Sequence, residues 1–258
     1  MNLPKTLCMC VALSLLVLQA CKQEITKGEK PPTEQEAAVA NVNLAAGYLR
    51  QGHPELAIDR LQRAIKQDPK LADAHTTLAI AYDQLGSAED AEEHYKKATQ
   101  LEPENSSSAN AYAVFLCKHN RWKDAEPYFK RATSNLKYQT PEVAYTNAGT
   151  CARNAGDKVK ADENFRAALT RNPMYADALE NMLEMSYGDK NYLQARAFLQ
   201  RFRDVKPPTA AVLWMCVDIE NHLNNHDAAN RCAAQLREGF PDSPETAKLK
   251  QLQATNGR

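Results

Sequence analysis

The chain is 258 residues long, and its 32 basic residues balance 32 acidic ones to a formal charge of zero. Outside the first twenty residues, whose only charge is Lys5, 31 basic residues face 32 acidic ones. That leaves no basic excess to draw in nucleic acid by counterion release, and charges interspersed along helices describe a solvated outer surface.

Residues 1–20 place Lys5 ahead of an apolar run from Leu7 to Leu18. At ~1.5 Å per residue such a run is too short for a hydrocarbon layer ~30 Å thick, so it predicts a secretory signal peptide. Leu18-Gln19-Ala20-Cys21 ends it and resembles the bacterial lipoprotein box, in which cleavage precedes a cysteine that becomes acylated. The resemblance implies lipid attachment at Cys21, and Lys22 in place of an inner-membrane-retaining aspartate implies the outer membrane, periplasmic face. The alternative is an ordinary signal peptide with a nearby cysteine. Residues 21–32, polar and ending in Pro31-Pro32, carry no apolar content to pack and are expected to form a flexible tether. Thr33 and Glu36 then make a capping box, which predicts the first helix start.

From residue 33 to 258 one pattern repeats. In Ala72–Asn105, Leu78, Ala79 and Tyr82 share one helix face, Ala91, Tyr95 and Ala98 share another, and Gly86 breaks the backbone between them. The unit recurs from Ala38, Ala72, Ser106, Glu142, Ala176 and Ala210, with two extra residues around Lys137–Pro141. Position 20 of each unit is Ala57, Ala91, Ala125, Ala161, Ala195 and Ala229. Position 32 is proline in all but the third unit, which has Lys137. A 34-residue period with these features is the tetratricopeptide pattern. The expected fold is all-α, a right-handed superhelical solenoid of about six helix-turn-helix repeats, closed by a capping helix around Glu245–Gln253.

Cys117, Cys151, Cys216 and Cys232 remain after the leader, an even number in an exported chain. Four cysteines allow three connectivities. Cys117 and Cys151 fall on the first helices of adjacent units, while Cys216 and Cys232 lie about equally far from the turn of the sixth. That placement predicts Cys117–Cys151 and Cys216–Cys232, the alternative being four buried thiols. His222 and His226 stand near the second pair, but Asn224-Asn225 at the turn sends them onto different helices, so no metal site is expected. His53, His75, His94 and His119 read as ordinary polar or rim residues. No phosphate-cradling glycine loop, nucleophile elbow or H-E-x-x-H is present, so neither catalysis nor a cofactor is expected.

In this architecture the inner surface comes from positions 2, 5, 9 and 12 of each first helix. In unit one these are Val39, Val42, Ala46 and Leu49, continued by Ile80 and Val114 at position 9 of units two and three. Unit five instead presents Asp177, Glu180, Glu184 and Tyr187. The expected groove is apolar near the tether and acidic at its far end, suited to an amphipathic helix of a partner. The alternative is a capping helix covered by its own tether.

Asn110-Ala111-Tyr112-Ala113-Val114-Phe115-Leu116-Cys117 in unit three and Tyr145-Thr146-Asn147-Ala148-Gly149-Thr150-Cys151 in unit four are distinctive runs. With Ala167–Pro173, Phe240-Pro241-Asp242-Ser243 and the lipobox, they resemble the PilF/PilW family of type IV pilus pilotin lipoproteins over nearly the whole chain. The resemblance implies an outer-membrane lipoprotein, monomeric outside its complex, that helps the pilus secretin reach the membrane and multimerise, and it maps the family's paired cysteines onto Cys117 and Cys151. Where members often read N-N-Y-G, this chain has Asn110-Ala111-Tyr112-Ala113. The other expectation is a general envelope scaffold, such as an adaptor for peptidoglycan hydrolases.

Overall fold

The computed structural model describes residues 31–256, so the leader, Cys21 and most of the tether lie outside the described residues. Thirteen helices follow one another among them, with no strand. Twelve form six hairpins: α1 (Glu34–Arg50) with α2 (Pro54–Gln67), α3 (Ala72–Gln84) with α4 (Ala88–Leu101), α5 (Ser106–Lys118) with α6 (Trp122–Ser134), α7 (Pro141–Asn154) with α8 (Lys158–Arg171), α9 (Ala176–Gly188) with α10 (Tyr192–Val205), and α11 (Ala210–His222) with α12 (His226–Gly239). The last, α13 (Pro244–Asn256), lies against the sixth hairpin.

Local sequence accounts for the ends of these elements. Glu36 Oε2 accepts a 2.7 Å hydrogen bond from the Thr33 amide while the Glu36 amide donates back to Thr33 Oγ1 at 3.2 Å, the reciprocal cap that opens α1. Every hairpin turns through a left-handed residue at position 15. Gly52, Gly86 and Gly156 fill it in three units, and Asn120, Lys190 and Asn224 adopt φ between 57° and 60° in the others. The two extra residues between units three and four form a loop organised by Asn135, whose amide donates to Glu104 O and Ser106 Oγ and whose Oδ1 caps the Lys137 amide.

The repeat is held together by small residues at fixed positions. The six alanines at position 20 are 3 % exposed or less, and position 27 (Ala64, Ala98, Ala132, Ala168, Phe202 and Leu236) is buried without remainder in all six units. Bulk at position 24 fills the space between helices, as with Leu61, Tyr95 and Phe165. Phe165 is the one aromatic residue at this position buried without remainder, and its facing position is emptied: Gly149 lies directly under the ring. Buried apolar residues form successive clusters along the array, since each hairpin packs on its neighbours. The far end is closed by α13, where Leu249 is 1 % exposed and Thr246 Oγ1 donates to Phe240 O at 2.7 Å.

The near end has no such cover among the described residues. At position 7, Leu78, Tyr112 and Met182 are buried, whereas Leu44 in unit one is 52 % exposed.

Candidate partner-binding face and disulfides

The first helices of successive hairpins lie side by side, so their inner positions form one continuous strip. Its polar side chains are paired across the unit boundaries. Lys118 Nζ donates to both oxygens of Asp83, at 3.0 and 2.9 Å. Asn147 Nδ2 donates to Asn110 Oδ1 at 3.2 Å, Arg153 to Glu184 at 2.7 Å, and Tyr187 Oη to Asp218 at 2.9 Å. These bonds run between neighbouring units and fix their relative setting.

The apolar stretch expected near the tether is present but discontinuous. Val39 and Val114 are 43 % and 40 % exposed. Ala46, Leu49 and Ile80 are half-buried, with Leu49 and Ile80 packed against core clusters. Val42 departs from the expectation: it is buried in the first cluster with Ala38, Ala45 and Leu61. It lies four residues after Ala38 and three before Ala45, on the ridge that faces α2. The accessible apolar contacts are therefore Val39 and Val114, with edges of Ala46, Leu49 and Ile80 between them.

The far end of the strip is acidic. Asp177 and Glu184 are exposed and Glu180 is half-buried. Burial lifts the Glu180 carboxyl above its ordinary value; Lys206, 3.8 Å away, opposes this, and the charges of Glu184 and Asp177 reinforce it. Each remaining carboxylate has a partner, Arg153 on Glu184 and the Tyr175 hydroxyl on Asp177 at 3.3 Å.

Two disulfides join the four cysteines. Cys117–Cys151 spans α5 and α7 with Cα atoms 5.7 Å apart, closing 34 residues, which is one repeat period. Cys216–Cys232 ties α11 to α12 across the sixth hairpin at 6.0 Å. Both thiols near His222 and His226 are thus bonded to each other. His222 stacks on Tyr192 with centroids 4.1 Å apart and its Nδ1 lies 2.9 Å from the Asp218 carbonyl, while His226 opens α12. His75 and His94 are not the rim residues expected of them: His75 is 6 % exposed and its ring lies against that of His94.

The outer side of the array carries grooves between successive second helices. Between α6 and α8 a cavity of about 250 Å³ is walled by Trp122, Phe129, Ala148 and Ala152, with a Lys160–Glu126 ion pair of 2.6 Å at its rim. The equivalent groove between units two and three is filled: Glu92 accepts hydrogen bonds from Tyr112 at 3.0 Å and Arg121 at 2.8 Å. These grooves leave no local signature in the sequence, because the walls of the one between units three and four come from three helices in two units.

A tetratricopeptide repeat family model matches residues 42–106 and 76–142. No curated protein matches the chain. Among solved structures, one from the functional characterization of Pseudomonas aeruginosa pilF is 25 % identical, with a TM-score of 0.75 over 85 % of this chain and 99 % of that one. PilW, described as a widely conserved type IV pilus biogenesis factor, is 26 % identical with a TM-score of 0.72 over 82 % of this chain and 97 % of its own. YrrB, a repeat protein described as having an unusual peptide-binding site, is 24 % identical with a TM-score of 0.50 and supports the fold alone.

Proposed function

We infer the function of this all-α solenoid of tetratricopeptide repeats from its structural similarity to two type IV pilus biogenesis proteins. On that inference it acts as a pilotin: a lipoprotein, acylated at Cys21 and held on the periplasmic face of the outer membrane, that binds the pilus secretin and promotes its localisation and multimerisation. The observation that carries this reading is the similarity to PilF and PilW, which extends over 99 % and 97 % of those chains. The lipobox supports the anchoring half. The partly exposed apolar strip from Val39 to Val114 supports a helix-in-groove contact. The protein's role is then delivery and assembly, with binding rather than bond-making as its chemistry.

The test is deletion of the gene, followed by fractionation of the envelope and electrophoresis of unheated secretin. Stranded monomers in the inner membrane and loss of twitching support the reading. Normal secretin multimers overturn it, and division or cell-wall defects with intact pili point to the general envelope scaffold. Val39→Asp and Val114→Asp, both at exposed positions, should weaken capture of the secretin while leaving helicity unchanged.

A further inference from the structure

The outer groove between units five and six differs chemically from those before it. It encloses a cavity of about 340 Å³ walled by Arg196, Leu199 and Arg203 of α10, Cys216 and Glu220 of α11, and Arg231 of α12, among others. That volume is within the range of small-molecule sites, about 300–1,000 Å³. Three guanidiniums and one carboxylate line it.

Two observations show that these charges are not the repeat's ordinary surface. First, Glu220 occupies position 11, where units three to five bury Leu116, Ala152 and Ser186; it is itself only 6 % exposed. Among the described residues its Oε2 has no hydrogen-bond partner, and the cation paired with it, Arg196 Nη1, stands 3.9 Å away, too far to donate to it. A buried carboxylate oxygen left without a donor is costly, and such a group needs a partner. Second, the sign of the groove is inverted. Position 21 holds Glu92 and Glu126 in units two and three and Asp162 in unit four, but Arg196 in unit five. Glu92 accepts hydrogen bonds from Tyr112 and Arg121 of the neighbouring unit, whereas Arg196 meets only the distant Glu220 among the described residues.

The remaining arginines are disposed to receive an anion. Arg203 is held in place, donating from Nη2 to Gln235 Oε1 at 3.0 Å and resting Nη1 at 3.9 and 3.8 Å from the two disulfide sulfurs. Arg231 forms no ion pair among the described residues and faces the same cavity. Planar guanidinium forks match carboxylates bidentately, and the cavity carries a surplus of positive charge that a ligand must meet. Glu220 Oε2 asks for the opposite, a strong N–H donor. We propose that this cavity binds a small acidic amino acid, its two carboxylates received by Arg196, Arg203 and Arg231 and its ammonium by Glu220.

The site lies in the outer groove and shares no residue with the inner strip, so it stands or falls independently of the secretin. The test is calorimetric titration of the purified, oxidised protein with L-glutamate, with glutarate (the same diacid lacking the ammonium) and with inorganic phosphate. Saturable glutamate binding at least tenfold tighter than glutarate is expected. Arg231→Ala, at a surface side chain whose loss leaves the core intact, should weaken it about tenfold, the effect of one charge-assisted hydrogen bond. Glu220→Gln should erase the preference for glutamate over glutarate. Absence of saturable glutamate binding overturns the proposal. So does equal binding of all three anions, which would mean only diffuse attraction to arginine, and so does glutamate binding that Arg231→Ala and Arg196→Gln both leave unchanged in variants that keep the helical circular dichroism.

Discussion

His75 and His94 face each other across the second hairpin with their Nδ1 atoms 3.0 Å apart. His75 Nε2 lies 3.3 Å from the Pro69 carbonyl, which can only accept, so the neutral His75 ring carries its proton on Nε2 and its Nδ1 receives the bond from His94. The arrangement admits no proton on His75 Nδ1. Burial is the main force holding both pKa values below 6.5; the Pro69 bond opposes it at His75 and nearby Glu93 and Asp90 oppose it at His94, while the charge of Lys97 and of His94 itself add to it at His75. Below pH 6.5 the unfolded chain takes up protons that the native pair refuses, so stability falls as pH drops through this window. The unfolding free energy from urea titrations should decrease between pH 7.5 and 5.5 by an amount on the order of 1 kcal/mol. Replacing the pair by His75→Leu and His94→Phe should flatten that slope; a midpoint equally pH-dependent in both proteins would refute the assignment.

Gly149 owes its identity to Phe165. A Cβ built on Gly149 would lie 2.6 Å from one ring carbon of Phe165 and 2.7 Å from the next, and the ring is fully buried with no room to retreat. Gly149→Ala should therefore destabilise the protein by about 1–3 kcal/mol through overpacking, although alanine is the better helix former. The shorter Leu at position 165 opens the space, so the double variant Gly149→Ala, Phe165→Leu should lose less than the two single changes together. Additive losses in thermal melts would show that the two residues do not compete for one volume.

The repeat was legible because its fixed points are chemically extreme: an alanine at position 20 every 34 residues, and a proline at position 32 in five units of six. The disulfides followed from the unit boundaries, which put Cys117 and Cys151 on adjacent first helices and Cys216 and Cys232 on the two helices of one hairpin. What lay beyond reach depended on side-chain direction. Val42 looked like a groove residue by its spacing, yet it shares a ridge with Ala38 and Ala45 and is turned to the core. His75 and His94 are 19 residues apart on two helices, so no local pattern marks their meeting. The same holds for Arg196, Glu220 and Arg231, which three helices bring to one cavity.

Cys117–Cys151 crosses the boundary between units three and four, where the chain carries its two extra residues and where the outer groove is hollow. A bond there restrains a junction that side-chain packing fills less completely. Closing a 34-residue loop is worth about 2–4 kcal/mol in chain entropy. Cys117→Ser with Cys151→Ser should lower the unfolding free energy by about that amount, and native-state hydrogen exchange should show α7 losing protection first. Cys216–Cys232 lies within one hairpin, so its removal should leave the unit-three boundary protected. Unchanged exchange in α7 would mean that packing alone secures the junction.

Glu92 is one of two carboxylates, with Asp83, through which an ion pair joins units two and three among the described residues. Burial would raise its pKa, but hydrogen bonds from Lys96, Arg121 and Tyr112 and the charge of Arg121 outweigh that and bring it down to about 2. Tyr112 and Arg121 both belong to the third unit, so the carboxylate is satisfied from across the boundary. Its folded pKa lies below its unfolded value, so the stabilisation is complete above about pH 4.5 and is lost as pH falls towards 2. Lys96 and Arg121 are about half exposed, and solvent screens their charges, which limits the contribution to roughly 1–2 kcal/mol. Glu92→Gln should therefore destabilise the protein by about that much at pH 7 and progressively less at lower pH, converging with the parent near pH 2. This acid window is separate from that of the histidines, so a titration of stability from pH 7.5 to 2 should fall in two steps, of which Glu92→Gln removes only the lower. A parent protein whose stability is flat between pH 4.5 and 2 would show that the carboxylate is no better held in the folded state than in the unfolded one.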